Sequence, residues 1–294
     1  MTVALAQGFP SIMIAGKYHL RRKVADGAMG CVWEAQDESH DRVVAVKLLH
    51  SRKTATEAEW SYLKRRLLRE AEITASVRHL AIVRTLDYGV TEDDEPYLVM
   101  EFLSGKPLTL VLERRRRLTP AGVVRLMLPI AEGLATIHAI GIVHRDIKPE
   151  NVFLVYRSGI QVQPKLIDFG VAKVMDPFRR EGLTGAGVVG TPGYMPPEQA
   201  LDSSDVDGRA DVWAFCVMLY EVLSGRVPFS GRTCSEVLRA VLEREAAPLT
   251  VTIGLDAELW SILERGLRND RTKRWEGMRP LTAALRGWLA SREK

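Results

Sequence analysis

His144-Arg145-Asp146-Ile147-Lys148-Pro149-Glu150-Asn151 concentrates a large amount of chemistry in one short stretch. Asp146 supplies a carboxylate that can hold a hydroxyl group and accept its proton. Lys148 sets a cation where the charge of a transferring phosphoryl group would be met. Asn151 brings a neutral oxygen suited to a hard cation such as Mg²⁺. Pro149 stiffens the turn and removes a backbone donor. Further along, Lys165-Leu166-Ile167 leads into Asp168-Phe169-Gly170, which adds a second carboxylate able to hold a metal. A solvated turn with incidental charges would account for either motif alone. It does not account for both in this order and spacing.

In that order and spacing, the loop and the tripeptide resemble the signature of the protein kinase family. The resemblance covers nearly all of the chain from Tyr18. It implies an α+β, two-lobed fold: a small antiparallel-sheet N-lobe with one helix, then a larger helical C-lobe. The expected boundaries are a tail over 1–16, an N-lobe over 17–101 and a C-lobe over 102–294, with the kinase domain spanning about 18–290.

Composition agrees with such a fold. A chain of 294 residues, 46% hydrophobic and 27% charged, suits one large domain or two lobes with a shared cleft, as in an ordinary soluble globule. A net charge of +4 is too mild to argue for nucleic acid. Cys31, Cys216 and Cys234 are too scattered for a disulfide framework or a zinc site, so they read as reduced thiols in a cytoplasmic protein. The apolar run over residues 212–223 contains Glu221, is shorter than a membrane span and reads as a buried core helix. No charged residue precedes Lys17, so the start lacks the basic region of a signal peptide. No membrane segment is expected.

From the N-terminal side, Tyr18-His19-Leu20-Arg21-Arg22-Lys23-Val24 partly alternates and reads as a strand. Ala25-Asp26-Gly27-Ala28-Met29-Gly30-Cys31-Val32 follows and resembles the kinase glycine-rich loop, a lid over nucleotide phosphates. Side chains there would hold the backbone amides off the phosphate oxygens. Ala25 stands where the family has its first glycine. The resemblance implies ATP contacts from Val24, Ala25, Gly27, Gly30 and Val32, and alternation then turns Cys31 to the opposite face. The β-branched run over 43–49 contains Lys47, and lysine is depleted in strands. A snorkelling edge lysine is one explanation. The resemblance implies instead a ligand of the α- and β-phosphates, with Ala45 over the adenine.

Residues 57–77 read as one helix, with Leu63, Leu67, Ala71, Thr74 and Val77 at helical spacing and Lys64, Arg65, Arg66 and Arg69 on a solvated face. The resemblance selects Glu70, rather than Glu72, as the partner of Lys47, because it precedes His79-Leu80-Ala81-Ile82-Val83 at the family's spacing. Residues 97–103 resemble the last small-lobe strand and the hinge. Met100 would back the adenine pocket, and Glu101 and Leu103 would meet the base through backbone groups. Ser104-Gly105-Lys106-Pro107 loosens the chain.

Thr119-Pro120 caps a helix reaching about residue 139, with Val123, Leu126, Met127, Ile130, Leu134 and Ile137 on one face. The arginine run 114–117 before it reads as solvated helix-end charge, with docking of an acidic substrate as its rival. Residues 152–155 form a short strand, and Phe153 would floor the adenine site. Residues 168–198 resemble the activation segment, ending in Gly190-Thr191-Pro192-Gly193-Tyr194-Met195-Pro196-Pro197-Glu198, with Pro196 in the alanine place of the family's Ala-Pro-Glu. The resemblance pairs Glu198 with Arg274, anchors the catalytic-loop backbone on Asp211, and gives Thr191 the shaping of the substrate-docking loop. Thr184 is the one hydroxyl side chain between Met175 and Val189. It is the candidate for activating phosphorylation, with Arg145 and Lys173 as basic contacts.

The implied reaction is transfer of the ATP γ-phosphoryl to a protein serine or threonine. Asn151 and Asp168 would hold Mg²⁺, or Mn²⁺ in its place, and Asp146, Lys148, Lys47 and Glu70 would form the catalytic set. Lys148-Pro149-Glu150 and Gly190-Thr191 resemble the serine/threonine branch. Met29 beside Gly30 and the run Pro197-Glu198-Gln199-Ala200 look most like bacterial eukaryotic-like kinases. Expected partners are ATP, protein substrates and a second copy for autophosphorylation in trans, with no nucleic acid. A pseudokinase acting as a binding module would show loss of Lys47, Asp146, Asn151 or Asp168, and all are present. A small-molecule phosphotransferase would have no use for the long activation segment.

Overall fold

The computed structural model describes residues 12–27, 30–49, 56–113, 118–156, 162–168, 192–201 and 206–293. The chain divides into two compact units, Met1–Arg78 with Val83–Leu103, and His79–Ile82 with Ser104–Lys294.

The first unit contains β1 (Met13–Ile14), β2 (Tyr18–Gly27), β3 (Gly30–Asp37), β4 (Arg42–Leu49), α1 (Glu57–Ala75), β5 (Thr85–Val90) and β6 (Pro96–Glu101). Its strands form one antiparallel sheet in the order β1-β2-β3-β4-β6-β5. Strand alternation gives this sheet two different faces. Val44 and Val46 on β4 join Leu20, Ala35, Tyr97 and Val99 in a buried core, while Ala45 and Lys47 point to the other side. The segment read as a tail contributes to this core: β1 pairs with β2, and Ile14 is buried. An apolar side chain with a place in the sheet gains more from burial than from solvent.

The helix α1 packs on β5 and β6, and its Trp60, Leu67, Ala71 and Thr74 are buried. It stops at Ala75, short of the expected residue 77. Val77 is still buried, and its N–H bonds to the Thr74 carbonyl at 3.1 Å. Lys64 leaves the solvated face assigned to it, because it falls at the four-residue step between Trp60 and the buried Leu67 side of the helix. Its ammonium meets Asp94 at 2.5 and 2.7 Å.

The second unit begins with β7 (Gly105–Pro107), α2 (Leu108–Glu113) and α3 (Pro120–His138), then β8 (Val152–Tyr156) and β9 (Val162–Leu166). Helices follow: α4 (Pro197–Ala200), α5 (Arg209–Ser224), α6 (Cys234–Glu243), α7 (Leu249–Thr252), α8 (Ala257–Gly266) and α9 (Met278–Ala290). Every residue of α5 from 210 to 220 is buried, as expected of a helix apolar all round. Gly225 ends it in the left-handed conformation at φ 77°.

The helix α3 starts where the sequence predicts. The Thr119 side chain accepts the Gly122 N–H at 3.1 Å, and Pro120 occupies the first turn, where a missing N–H loses no bond. Val123, Met127, Ile130, Leu134 and Ile137 are buried. Leu126 is only half-buried, and Val124 takes its place in the core. Among the described residues α3 is also the helix long and apolar enough to cross a membrane, judged by length and composition alone. The apolar run over residues 212–223 lies instead in α5. In the fold α3 packs on α5, α9 and β9, which accounts for its apolar character as a core helix.

Asp256 ties the last helices together. Its carboxylate accepts the Glu258 and Leu259 amides at the start of α8 at 3.1 and 3.0 Å, and the Trp288 indole N–H of α9 at 2.9 Å. The Trp288 bond first, then the Leu259 amide, hold its carboxyl down to about 2 from an ordinary 3.8. A depressed carboxyl stabilises the fold above its unfolded value and loses that contribution as pH falls through the folded one. We expect Asp256→Ala to lose about 1–2 kcal/mol in urea unfolding at neutral pH. The difference from wild type should shrink as pH drops from about 4 toward 2. Equal unfolding midpoints at neutral pH would contradict this role.

Candidate active site

In the first unit the β register collects the residues expected to meet a nucleotide. Val32 lies opposite both Ala25 and Lys47, and Ala45 lies opposite Met100. Ala25, Val32, Ala45, Lys47 and Met100 therefore share the sheet face turned away from the Val44–Val46 core. Cys31 is buried on the opposite side from Val32, as alternation predicts. Val24 is exposed beside a register shift between Lys23 and Ala25. Gly27 pairs with Gly30 to close the β2–β3 hairpin, and Gly30 adopts φ 151°, a conformation that side chains disfavour. Ala28 and Met29 lie outside the described residues.

The end of β6 is fastened to the chain before β5. The Glu101 N–H donates to the Arg84 carbonyl at 3.0 Å, and the Glu101 carboxylate accepts the Arg84 N–H at 2.8 Å. This holds the strand up to the point where Leu103 follows. Glu70 sits on α1, but its side chain is outside the described set.

In the second unit the loop over residues 144–151 is built around a buried carboxylate. Asp211, at the start of α5, accepts the His144 N–H at 2.7 Å and the Arg145 N–H at 2.8 Å. His138, in the last turn of α3, meets the same carboxylate at 2.8 Å. Burial alone would raise the Asp211 carboxyl, but His138 and the loop amides hold it below its ordinary value. Arg145 has φ 63°, a left-handed conformation that a side-chain-bearing residue keeps only when its surroundings demand it. The Asp211 bond to its amide is that demand.

His144 is fully buried, and burial lowers its pKa and keeps the ring neutral. Its Nδ1 accepts the Asp146 N–H at 3.3 Å. The Asp146 carboxylate is gripped at one oxygen from two sides, by Lys148 Nζ at 3.0 Å and Asn151 Nδ2 at 3.0 Å. Asn151 Nδ2 also donates to the Asp146 carbonyl at 2.7 Å. The amide nitrogen is thus committed, and the amide oxygen is the atom suited to a cation.

Asp168 follows β9, also left-handed at φ 59°. The approach to it is pinned: the Leu166 N–H bonds to the Ala81 carbonyl and the Ile167 N–H to the Asn151 carbonyl, both at 2.8 Å. Phe153 on β8 pairs with Pro107 and Lys165. Gly105 permits that sheet, since a Cβ there would lie 2.0 Å from the Leu154 carbonyl oxygen. Phe169, Gly170, Lys173, Thr184, Thr191 and the arginine run 114–117 lie outside the described residues.

Glu198 and Arg274 form a bidentate pair at 2.8 Å through the two terminal guanidinium nitrogens. Arg274 is fully buried, also donates to the carbonyls of Arg268, Asn269 and Arg209, and lies over the Trp213 ring. Sequence reasoning missed His138 and the hydrogen bond from the Tyr194 hydroxyl to the Glu221 carboxylate. Neither has a local signal, because each partner lies far along the chain.

Comparison with known proteins agrees with this arrangement of a mixed sheet-and-helix unit followed by a helical unit carrying an Asp–Lys–Asn loop. The protein kinase domain family matches residues 18–283. The chain is 38% identical over 281 residues to serine/threonine-protein kinase pkn2 of Myxococcus xanthus, covering 94% of this chain and 33% of that protein. It is 36% identical over 276 residues to Pkn1 of the same organism, covering 94% of this chain and 38% of that protein. It is 37% identical over 244 residues to PknA of Mycobacterium tuberculosis, covering 81% of this chain and 54% of that protein. The chain belongs to the protein kinase family, and its similarity runs to bacterial serine/threonine kinases. It spans between a third and about half of the length of these relatives.

The Asp211 network can be tested without an activity assay. Asp211→Ala leaves His138 and two loop amides without their acceptor, at roughly 1–3 kcal/mol for each buried group left unsatisfied. We expect a stability loss of about 3 kcal/mol or more in urea unfolding, and a smaller loss for Asp211→Asn. A loss below about 1 kcal/mol for Asp211→Ala would show that the loop is held by other means.

Proposed function

We propose that this chain transfers the γ-phosphoryl group of Mg-ATP to serine or threonine hydroxyls of protein substrates. The observation that carries the reading is the Asp146 carboxylate, locked by Lys148 and Asn151 in a loop fastened to Asp211. A carboxylate so held can orient a substrate hydroxyl and receive its hydrogen. Lys148, already beside it, meets the negative charge that gathers on the transferred group. Phosphoryl transfer needs little covalent help from the protein, so positioning and charge are the contributions expected of these residues.

On the nucleotide side, Lys47 is the proposed contact to the α- and β-phosphates, with Glu70 as its partner. Val24, Ala25, Gly27, Gly30, Val32, Ala45, Met100, Glu101, Leu103 and Phe153 are the proposed further contacts to ATP. Asn151 and Asp168 offer two hard oxygens, and Mg²⁺ shared with nucleotide phosphates takes one or two protein oxygens of this kind. When bound, the ion would neutralise phosphate charge. Mn²⁺ fits the same ligands. Free thiols at Cys31, Cys216 and Cys234 fit a reducing, ATP-supplied cytoplasm.

We expect Asp146→Asn to retain ATP binding and lose transfer by at least about 10²-fold, comparable to removing one positioned electrostatic contact. Asp168→Asn should weaken Mg-dependent nucleotide binding as well. The assay incubates purified protein with Mg-ATP and maps phosphosites by mass spectrometry, with calorimetry for nucleotide binding. Near-wild-type transfer by Asp146→Asn removes the assignment. Intact binding without any transfer by wild type replaces the enzyme reading with that of a binding module.

The same reading assigns activation to phosphorylation of Thr184, carried out by a second copy of the kinase. Arg145 and Lys173 are the basic groups proposed to receive the phosphate. A phosphate adds roughly 1.5–2 negative charges and three strong acceptors, enough to order a glycine-rich stretch against such cations. Thr191 is assigned to the substrate-docking loop instead. After phosphatase treatment, preincubation with ATP should activate wild type but not Thr184→Ala or Arg145→Ala. Full activation of Thr184→Ala would place the switch elsewhere.

A further inference from the structure

Lys64 is a cation in a position that helix packing reserves for apolar residues. Trp60, Lys64, Leu67, Ala71 and Thr74 follow one another at steps of four, three, four and three along α1, which places them on one stripe. All but Lys64 are buried, and the Lys64 side chain is 21% exposed. Arg65 and Arg69, off the stripe, are exposed.

The partner is presented by a turn shaped for the purpose. Between β5 and β6 the Thr91 N–H bonds to the Glu95 carbonyl at 2.8 Å, and the Asp94 N–H to the Thr91 carbonyl at 3.0 Å. The Thr91 hydroxyl accepts the Glu95 N–H at 3.2 Å. Asp94 is left-handed at φ 62°, a conformation aspartate tolerates better than most residues. Both of its carboxylate oxygens accept from the Lys64 ammonium. Glu92, Asp93 and Glu95 make the rest of the turn acidic.

We infer that the Lys64–Asp94 pair is a positioning clamp that sets the rotation of α1 about its own axis, and through it the placement of Glu70. The inference rests on the proposed pairing of Glu70 with Lys47. Glu70 lies six residues beyond Lys64, about 9 Å along the helix and roughly 120° around it. Apolar contacts along the stripe tolerate a small roll of the helix, because dispersion and burial have little directionality. A two-oxygen grip on one ammonium at the edge of the stripe does not. Turning α1 carries the root of the Lys64 side chain away from the Asp94 turn and works against this grip. The pair is partly solvated, with Asp94 43% exposed, so it can be broken without unfolding the unit.

The experiment compares wild type, Lys64→Met, Asp94→Asn, the double variant and Lys64→Arg. The readouts are kcat and KM for ATP, the thermal midpoint, and hydrogen exchange across α1. Lys64→Met and Asp94→Asn should each lower kcat/KM about 1.5- to 5-fold, the range of one solvated ion pair, with little change in thermal midpoint. The double variant should be no worse than either single, and Lys64→Arg should recover most of the loss, because guanidinium keeps a two-oxygen grip. Amides of α1 should exchange faster in both single variants. Wild-type kcat/KM in both singles, or losses that multiply in the double, overturn the proposal. If wild type transfers no phosphate, the activity reading fails by itself, and α1 exchange still decides the clamp. Unchanged exchange in both singles then overturns it.

Discussion

Much of the second unit follows from one carboxylate that water cannot reach. Asp211 is fully buried at the head of a helix whose next nine residues are buried as well. A charge in such a place must be met by hydrogen bonds or the fold would lose several kcal/mol. The amides of His144 and Arg145 meet it, along with His138. Those amides can reach Asp211 only if the chain bends sharply, and Arg145 takes up the left-handed conformation that results. The bend fixes where Asp146 emerges. The position of the candidate reactive carboxylate is therefore set by the solvation needs of another carboxylate, 65 residues away in sequence.

The first unit solves a different problem with the period of a β-strand. A two-residue repeat forces neighbours to opposite faces, so one strand can serve a core and a site together. On β4, Val44 and Val46 fill the core while Ala45 and Lys47 serve the other face. Pairing with β3 and β6 brings Val32 and Met100 to that same face. A slip of one residue in register would bury Lys47 and expose the valines. The core thus enforces the grouping of the site residues. Lys47 is disfavoured as a strand residue, yet the strand is held by neighbours on either side of it.

What could be read from the sequence divides along the same lines. Motifs whose chemistry is local were legible: the Asp146–Asn151 loop, the Thr119 cap and the alternation around Ala45 and Lys47. Glu198 and Arg274 were paired from resemblance, since nothing local links residues so far apart. His138 was not found, because a histidine in the last turn of a helix carries no mark of a distant buried carboxylate. Lys64 was misread for a similar reason. Three consecutive basic residues look like a solvated face, and the carboxylate that draws Lys64 from it, Asp94, lies 30 residues away in sequence. The apolar character of α3 was underestimated because polar Glu132 and Arg125 interrupt the run, whereas in the fold both pair outward, with Arg286 and Glu293.

These pairs also differ in how firmly they hold. Asp211 is wholly buried, and Arg274 is buried against a Glu198 that is 11% exposed. Breaking either leaves an unmet charge in a dry interior, so neither has an accessible alternative arrangement. Lys64 and Asp94 are 21% and 43% exposed, and water can replace each partner for the other at small cost. The loop over residues 144–151 is tied to a buried carboxylate, whereas α1 is held at Lys64 by a solvated pair. Buried pairs suit parts that must not move, because they have one satisfied state. A half-solvated pair leaves both its joined and its parted states accessible, which is what the proposed turning of α1 would use. On this reasoning Asp211 and the Arg274–Glu198 pair hold their surroundings in one arrangement, whereas the Lys64–Asp94 contact can part and rejoin.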